Sequence, residues 1–487
     1  MTNFHKGCLA ILLLASLFLY LHNNDFPLGY HPDEVKKVAF IQSGSQDFYH
    51  PILLLQSVRS LNAFLHFNDP QQIAEVGRLV SALAGVAITA TSFFIAKRLM
   101  PPAWALLAAT MTASCPLIAI HAHYLKEDLL FTSFALLSLL QLLRTLDTPK
   151  FSQFSLLGLL CGLSAATKYV GILLLLLSII ATFILPKELR RKAIFGSILS
   201  VIIAAATFIA INYPLLFDPN LFANGVGYEL NHAIKGHDYL APIPITPFDF
   251  WFGFHFLYSI IPGIGYAAAI MGAFYTLSVF IAWNRSSNDE KIIALYIIIF
   301  YFIPELSPLK PFPDFMRYMI PAAPPLILFS CQACRSLFNN KKIVPALILT
   351  SFFIALACYH AWYTISLVNG ISSDTRDLST VWMQEHQGEF LAERYTGKEQ
   401  SDRKRTLADT DLERAREQGI KYLILSSFIS DRFNFAKKLP HHAPAIDNIL
   451  NDYNNLLSFP HLVITPNSPS YAFINPTITI IDISQHQ

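Results

Sequence analysis

Asp33 and Glu34 stand side by side in "YHPDEVKK", Tyr30 to Lys37, a few residues beyond the first apolar run of the chain. Further charged residues recur in short polar gaps: Lys126, Glu127 and Asp128 in "HAHYLKED", Lys168 in "ATKYVG", and Arg317 beside Tyr318 in "PDFMRY". A carboxylate can take a proton from a hydroxyl, and lysine or arginine can neutralise charge growing on a departing phosphate. Brought to one place, these residue types suit group transfer from a phosphate ester to a hydroxyl. Whether they meet depends on the elements that carry them.

Those elements are membrane helices. The chain of 487 residues is 53% hydrophobic and only 14% charged, with a mean hydropathy of +0.43, whereas an ordinary soluble protein is about 25% charged. Apolar runs near the ~20 residues that span a bilayer are Leu9 to Leu21, Val76 to Ala96, Ala103 to Ile120, Leu129 to Leu143, Ile194 to Ile211, Tyr258 to Trp283, Ile292 to Ile303, Tyr318 to Ala333 and Ile343 to Leu367. The first follows Lys6 and lacks a clear small-residue cleavage site, so it reads as an uncleaved span rather than a signal peptide. A formal charge of +2 gives no bulk attraction to nucleic acid, and no nucleic-acid partner is expected. All six cysteines lie in or beside apolar runs, so no disulfide framework is implied; Cys331 and Cys334 read as packing residues.

Lysine and arginine cluster in alternate gaps: Lys6; Lys97 and Arg98; Arg144 and Lys150; Lys187, Arg190, Arg191 and Lys192; Arg285 and Lys291; Arg335, Lys341 and Lys342. The positive-inside rule makes these gaps cytoplasmic. Phe151 to Leu185 has a cluster at each end, yet as one helix it would be roughly 50 Å long, so it must cross twice and turn at "ATKYVG". The count comes to about eleven spans, N-terminus inside and C-terminus outside. This parity places Asp33, His121 to Asp128, Lys168, the loop Tyr213 to Phe250 and the segment Glu305 to Tyr318 on the outer side. Beyond Leu367 some hundred and twenty polar residues hold a helix pattern, "DLERAREQGI", before a strand pattern, "KYLILSS", with another strand at "TITIIDI". The expected architecture is an all-α polytopic membrane domain over 1–367 and a small extracytoplasmic α/β domain over 368–487.

Charges at helix ends are costly unless paired or hydrated, so as a group they suggest a site. Singly, each has a plainer reading. Lys168 or Arg317 could snorkel to the interface, and Asp128 could cap the helix that follows it. Glu34, Lys36 and Lys37 could form the solvated face of an amphipathic helix, the better reading for the lysines. His121 and His123 resemble a metal pair only loosely. Composition does not separate an enzyme from a transporter with a charged vestibule.

The order of motifs resembles the GT-C glycosyltransferases, specifically the bacterial protein O-mannosyltransferase and lipid A aminoarabinose transferase group. "HPDE", "GRLVSALAGVAITATSFFIAKRL", "HYLKEDLLFTSFALL", "GLLCGLSAATKYVGILLLL" and "FMRYMIPAAPPLIL" follow one another in the expected order, and "DTRDLSTVWMQEH" and "IKYLILSS" resemble the periplasmic portion. The resemblance implies a multi-pass enzyme of the cytoplasmic membrane that transfers a hexose or pentose from a polyprenyl phosphate to a protein, lipid or glycan hydroxyl. It makes Asp33 the catalytic base with Glu34 its neighbour, and Asp128 a second catalytic acidic residue. Lys168, Arg317 and Tyr318 become candidates for the carrier phosphate or sugar, with Lys126 beside them. It requires no cofactor, although a divalent cation is compatible with the chemistry. A transporter, a lipid flippase or a non-catalytic scaffold of the same fold are the alternatives.

Overall fold

The computed structural model describes residues 2–235, 253–307, 315–339, 343–398, 404, 406–438 and 444–484. Of the outer segments expected above, residues 236–250 of the long loop and 308–314 before Phe315 lie outside the described residues, as do Lys341 and Lys342.

Every apolar run falls on helices, because a backbone in lipid must satisfy its polar groups within its own segment. The main ones are Asn3–Leu21, Pro70–Leu99, Glu127–Asp147, Lys187–Ile211 and Ile343–Gly370. Two runs are broken. Pro102–Ala113 is followed across Ser114 and Cys115 by a helical segment from Pro116 that is bent by 55°, and Phe256–Ile264 meets Tyr266–Ile281 at 116°. By length and composition five helices among the described residues can cross a bilayer, or seven if each bent pair is one span. The expected eleven counted apolar runs, and some, such as Phe151–Thr167, are shorter than a full crossing of about 30 Å. The chain is a multi-pass membrane protein.

The turn expected at "ATKYVG" is present. Phe151–Thr167 ends at Lys168, which is extended, and a short 3₁₀ turn leads into Leu173–Thr182. Gly171 allows the reversal, since a Cβ there would lie 2.5 Å from the backbone nitrogen of Ala165. Lys168 is thereby left at a helix end.

The bundle has two polar ends. At one, Arg98 bonds Asp147 and Asp289, and Arg335 donates to the Leu99 carbonyl at 2.9 Å, so the ends of four helices meet there. At the other lie the short helices Glu34–Ser43 and Leu53–Leu65 and the helix Pro219–Lys235.

The helix Ile343–Gly370 runs through the expected 367/368 boundary. Beyond it four strands, β1 (Phe390–Ala392), β2 (Tyr422–Ser426), β3 (His461–Ile464) and β4 (Ile478–Asp482), form a sheet in the order β1-β2-β4-β3. β1 and β2 are parallel, and the other pairs are antiparallel, with Tyr422 opposite Asp482. Both sequence-read strands and the helix Leu412–Glu417 are found. Thr375–Glu385 covers one face through Met383, while Ser427–Ala436 and Pro444–Leu456 join the core on the other.

Candidate active site

Asp33 and Glu34 begin the helix Glu34–Ser43, and they point to different surroundings. Glu34 is fully buried and takes a two-pronged ion pair from Arg78 of Pro70–Leu99, at 3.0 and 2.6 Å. Its Oε1 also accepts the Leu125 amide at 2.9 Å. Arg78 Nη1 donates to the Asn24 and Phe26 carbonyls, at 2.9 and 2.6 Å, and the guanidinium lies 3.5 Å from the Phe26 ring centroid. Glu34 is thus neither a solvated helix face nor a reactive partner of Asp33; it ties the first loop to a membrane helix and to the "HYLKED" segment.

Asp33 instead faces a cavity of about 320 Å³, with its side chain 40% exposed and ion-paired to Lys126. Lys126 precedes Glu127–Asp147 and also stands 3.5 Å from Glu127. Glu127 takes an ion pair from Lys37. Lys37 is therefore a buried partner rather than a solvated lysine, whereas Lys36 is half exposed and pairs with Asp47 at 2.5 Å.

One helical step further, Asp128 receives Lys168 at 2.6 Å and lies 3.6 Å from Arg317. It braces two cations rather than capping its helix. Lys168 sits 4.6 Å above the Tyr318 ring, and the Arg317 guanidinium lies 5.5 Å from it. Asp33, Lys126, Arg317 and Tyr318 line the cavity, while Glu34, Asp128 and Lys168 stand behind its wall.

The C-terminal segment closes the cavity with Arg394, Tyr395, Arg432 and Phe473. It also grips the residues just before Asp33. Arg376 is held by Asp374 and donates to the carbonyls of Tyr30 at 2.9 Å and Phe473 at 2.6 Å. The Tyr30 hydroxyl donates to Asp377 at 2.6 Å. The His31 ring lies 4.7 Å from both Tyr124 and Phe473.

The electrostatics follow from these contacts. Burial alone would raise the Asp33 carboxyl, but Lys126, with His31, Arg317 and Lys37, holds it well below the usual range. Burial would depress Lys126, but Asp33 and Glu127 raise it. Lys168 is lowered because burial outweighs Asp128. Burial holds His31 low and brings His50 down to about 3, so both imidazoles are neutral near pH 7. The cavity therefore offers an ionised carboxylate beside permanent cations.

His121 and His123 each spend Nδ1 on a backbone carbonyl, at 3.0 and 2.7 Å, and among the described residues no three His, Cys, Asp or Glu side chains form a metal-holding group. Cys331 and Cys334 are free thiols packed near methionine sulfurs. Sequence reasoning assigned no role to Arg78, Glu229 or Arg376, and it read Lys37 as a solvated lysine. Arg78 carried a usable signal: an arginine within an apolar run must have a partner.

The helical bundle defines the class: this is the GT-C glycosyltransferase fold. Residues 71–217 match the family described as dolichyl-phosphate-mannose-protein mannosyltransferase, a stretch that holds Arg78, Lys126, Asp128 and Lys168. The structure is similar to ArnT from Cupriavidus metallidurans bound to undecaprenyl phosphate, with 16% identity, TM-score 0.51, and 80% of this chain and 73% of that one covered. It is also similar to the archaeal oligosaccharyltransferase AglB from Archaeoglobus fulgidus, in complex with an inhibitory peptide and a dolichol-phosphate. There the identity is 11% and the TM-score 0.56, with 96% and 74% covered. No curated protein matches the chain in sequence.

Proposed function

We propose that the protein is an inverting glycosyltransferase that moves a hexose or pentose from a polyprenyl-phosphate carrier to an acceptor hydroxyl at the outer face of the cytoplasmic membrane. The observation that carries this reading is the Asp33 carboxylate, open to a cavity whose wall also presents Lys126 and Arg317. The similar structures named above were solved with polyprenyl phosphates bound, which supports a lipid-linked donor.

In this mechanism the acceptor oxygen bonds to the anomeric carbon as Asp33 takes its proton. The bond from that carbon to the phosphate oxygen breaks on the opposite side, and its electron pair leaves with the phosphate, inverting the centre. Lys126 and Arg317 neutralise the charge that develops on the phosphate, with Lys168 behind them and Asp128 fixing both Lys168 and Arg317. Asp128 is here a positioning residue, as is Glu34. Tyr318 lines the sugar and phosphate side. The acceptor belongs to a protein, a lipid or a glycan.

The mechanism needs no cofactor, because fixed cations supply the positive charge; turnover should survive EDTA. Placing the cavity and the C-terminal segment outside the cytoplasm rests on the lysine and arginine clusters, of which Arg98 and Arg335 gather at the other end of the bundle.

The test is release of free polyprenyl phosphate by purified protein from a panel of polyprenyl-phosphate sugars, with membrane extract as acceptor source. Asp33→Asn should release it 10²- to 10⁴-fold more slowly while remaining folded and inserted. Release by neither protein, in an assay shown competent with a known enzyme, would reject the reading.

A further inference from the structure

Four carboxylates line the cavity, and three have cationic partners: Asp33 with Lys126, Asp47 with Lys36 and Glu127 with Lys37. Glu229 is different. It makes no hydrogen bond or ion pair among the described residues, although it feels the charges of Lys126, Lys168 and Arg317, with Glu127 opposing them. Burial pushes its carboxyl up.

Its position is well defined. Glu229 lies on Pro219–Lys235, where neighbouring Tyr228 stacks on Tyr49 with centroids 4.0 Å apart and an angle of 12°. Phe222 meets Phe48 at 5.4 Å. A Cβ at Gly225 would lie 2.6 Å from the Asp47 carbonyl oxygen, so this helix packs directly on the first loop's backbone. The helix is fastened, and the carboxyl it presents lines the cavity without a protein partner among the described residues.

The Glu229 carboxyl is half-buried and has no protein donor among the described residues, and two of the cations that act on it, Lys126 and Lys168, are already engaged by Asp33 and Asp128. A ligand that brings hydroxyl donors would satisfy it. Among the groups that act on it are Lys126, Lys168 and Arg317, the cations assigned above to the donor phosphate. The donor end places sugar hydroxyls a few bonds from that phosphate.

We infer that Glu229 is a specificity-determining residue that accepts hydrogen bonds from hydroxyls of the carrier-linked sugar. The inference rests on the glycosyltransferase reading and adds a recognition element to it. One carboxylate can take two neighbouring hydroxyls, so the selected sugar carries an adjacent diol on the side facing Pro219–Lys235.

The experiment uses the 487-residue protein in detergent and the donor that the release assay identifies. It measures KM for that donor and the inhibition constant of the same polyprenyl phosphate without its sugar. Glu229→Gln should raise KM about 10- to 100-fold without raising the inhibition constant, since removing a negative charge near Lys126, Lys168 and Arg317 does not weaken their hold on a phosphate. Glu229→Asp should lie between. On wild type alone, a donor lacking one of the two hydroxyls should lose a similar factor, and that loss should vanish in Glu229→Gln. An unchanged KM, a parallel rise of both constants, or a wild type indifferent to every deoxy-donor would overturn the inference. A wild type that releases no polyprenyl phosphate would instead overturn the underlying reading.

Discussion

The Glu34–Arg78 and Asp33–Lys126 pairs start from neighbouring residues and end in different surroundings. In the first, both side chains are fully buried and the guanidinium makes four hydrogen bonds inside the protein, two to Glu34 and two to backbone carbonyls. In the second, the lysine is buried but the carboxylate is 40% exposed to the cavity. A closed, fully buried pair has a structural role, because opening it strands a charge in a medium that cannot solvate it. An open pair keeps its carboxylate ionised and still accessible to an incoming hydroxyl. Adjacent carboxylates in a sequence are therefore not necessarily a catalytic couple.

Removing one partner of the closed pair should have the largest effect. Arg78→Ala should cost about 3–5 kcal/mol, read as a large fall in thermal midpoint or loss of monodisperse protein in detergent. Asp33→Asn should cost under about 1 kcal/mol of stability, because its site is partly open. Equal destabilisation by the two would erase the distinction.

The open pair can be sharpened by pH. Lys126 overcomes the upward push of burial on Asp33, so the base stays ionised as pH falls, and activity should decline only below the ordinary carboxylate range near 4. Asp33 likewise contributes stability above its unfolded value that is lost as pH falls through its lower folded value. Lys126→Met should move the acid limb of kcat/KM up by about 1–3 pH units. An unmoved limb would mean that Asp33 is not the titrating base.

The smallest effect belongs to the rim. Lys36 is 53% exposed where it meets Asp47, and such pairs contribute about 0.2–1 kcal/mol. Lys36→Ala should barely shift the melting temperature, and a loss comparable to that of Arg78→Ala would show that exposure is a poor guide to these pairs.

Much of the fold was legible in the sequence, since apolar runs and the patterns of helix and strand residues act locally. The reversal at Lys168 followed from length alone: a segment too long for one crossing must turn. The number of full spans did not follow, because a run of apolar letters does not state where a helix bends, as at Gly265 between Ile264 and Tyr266. The candidate site was legible as a set of charges, but not as a geometry. Lys37 looked like a surface lysine because its partner, Glu127, lies ninety residues away in the chain.

By itself the sequence determined that this is a multi-pass membrane protein and that Asp33, Lys126, Asp128, Lys168 and Arg317 stand at helix ends, because hydrophobicity and charge act residue by residue. Only the tertiary structure decided which of two adjacent carboxylates opens to the cavity. At the start of a helix neighbouring side chains diverge by about 100°, and the choice between them was made by Arg78, placed beside Glu34 by the packing of another helix.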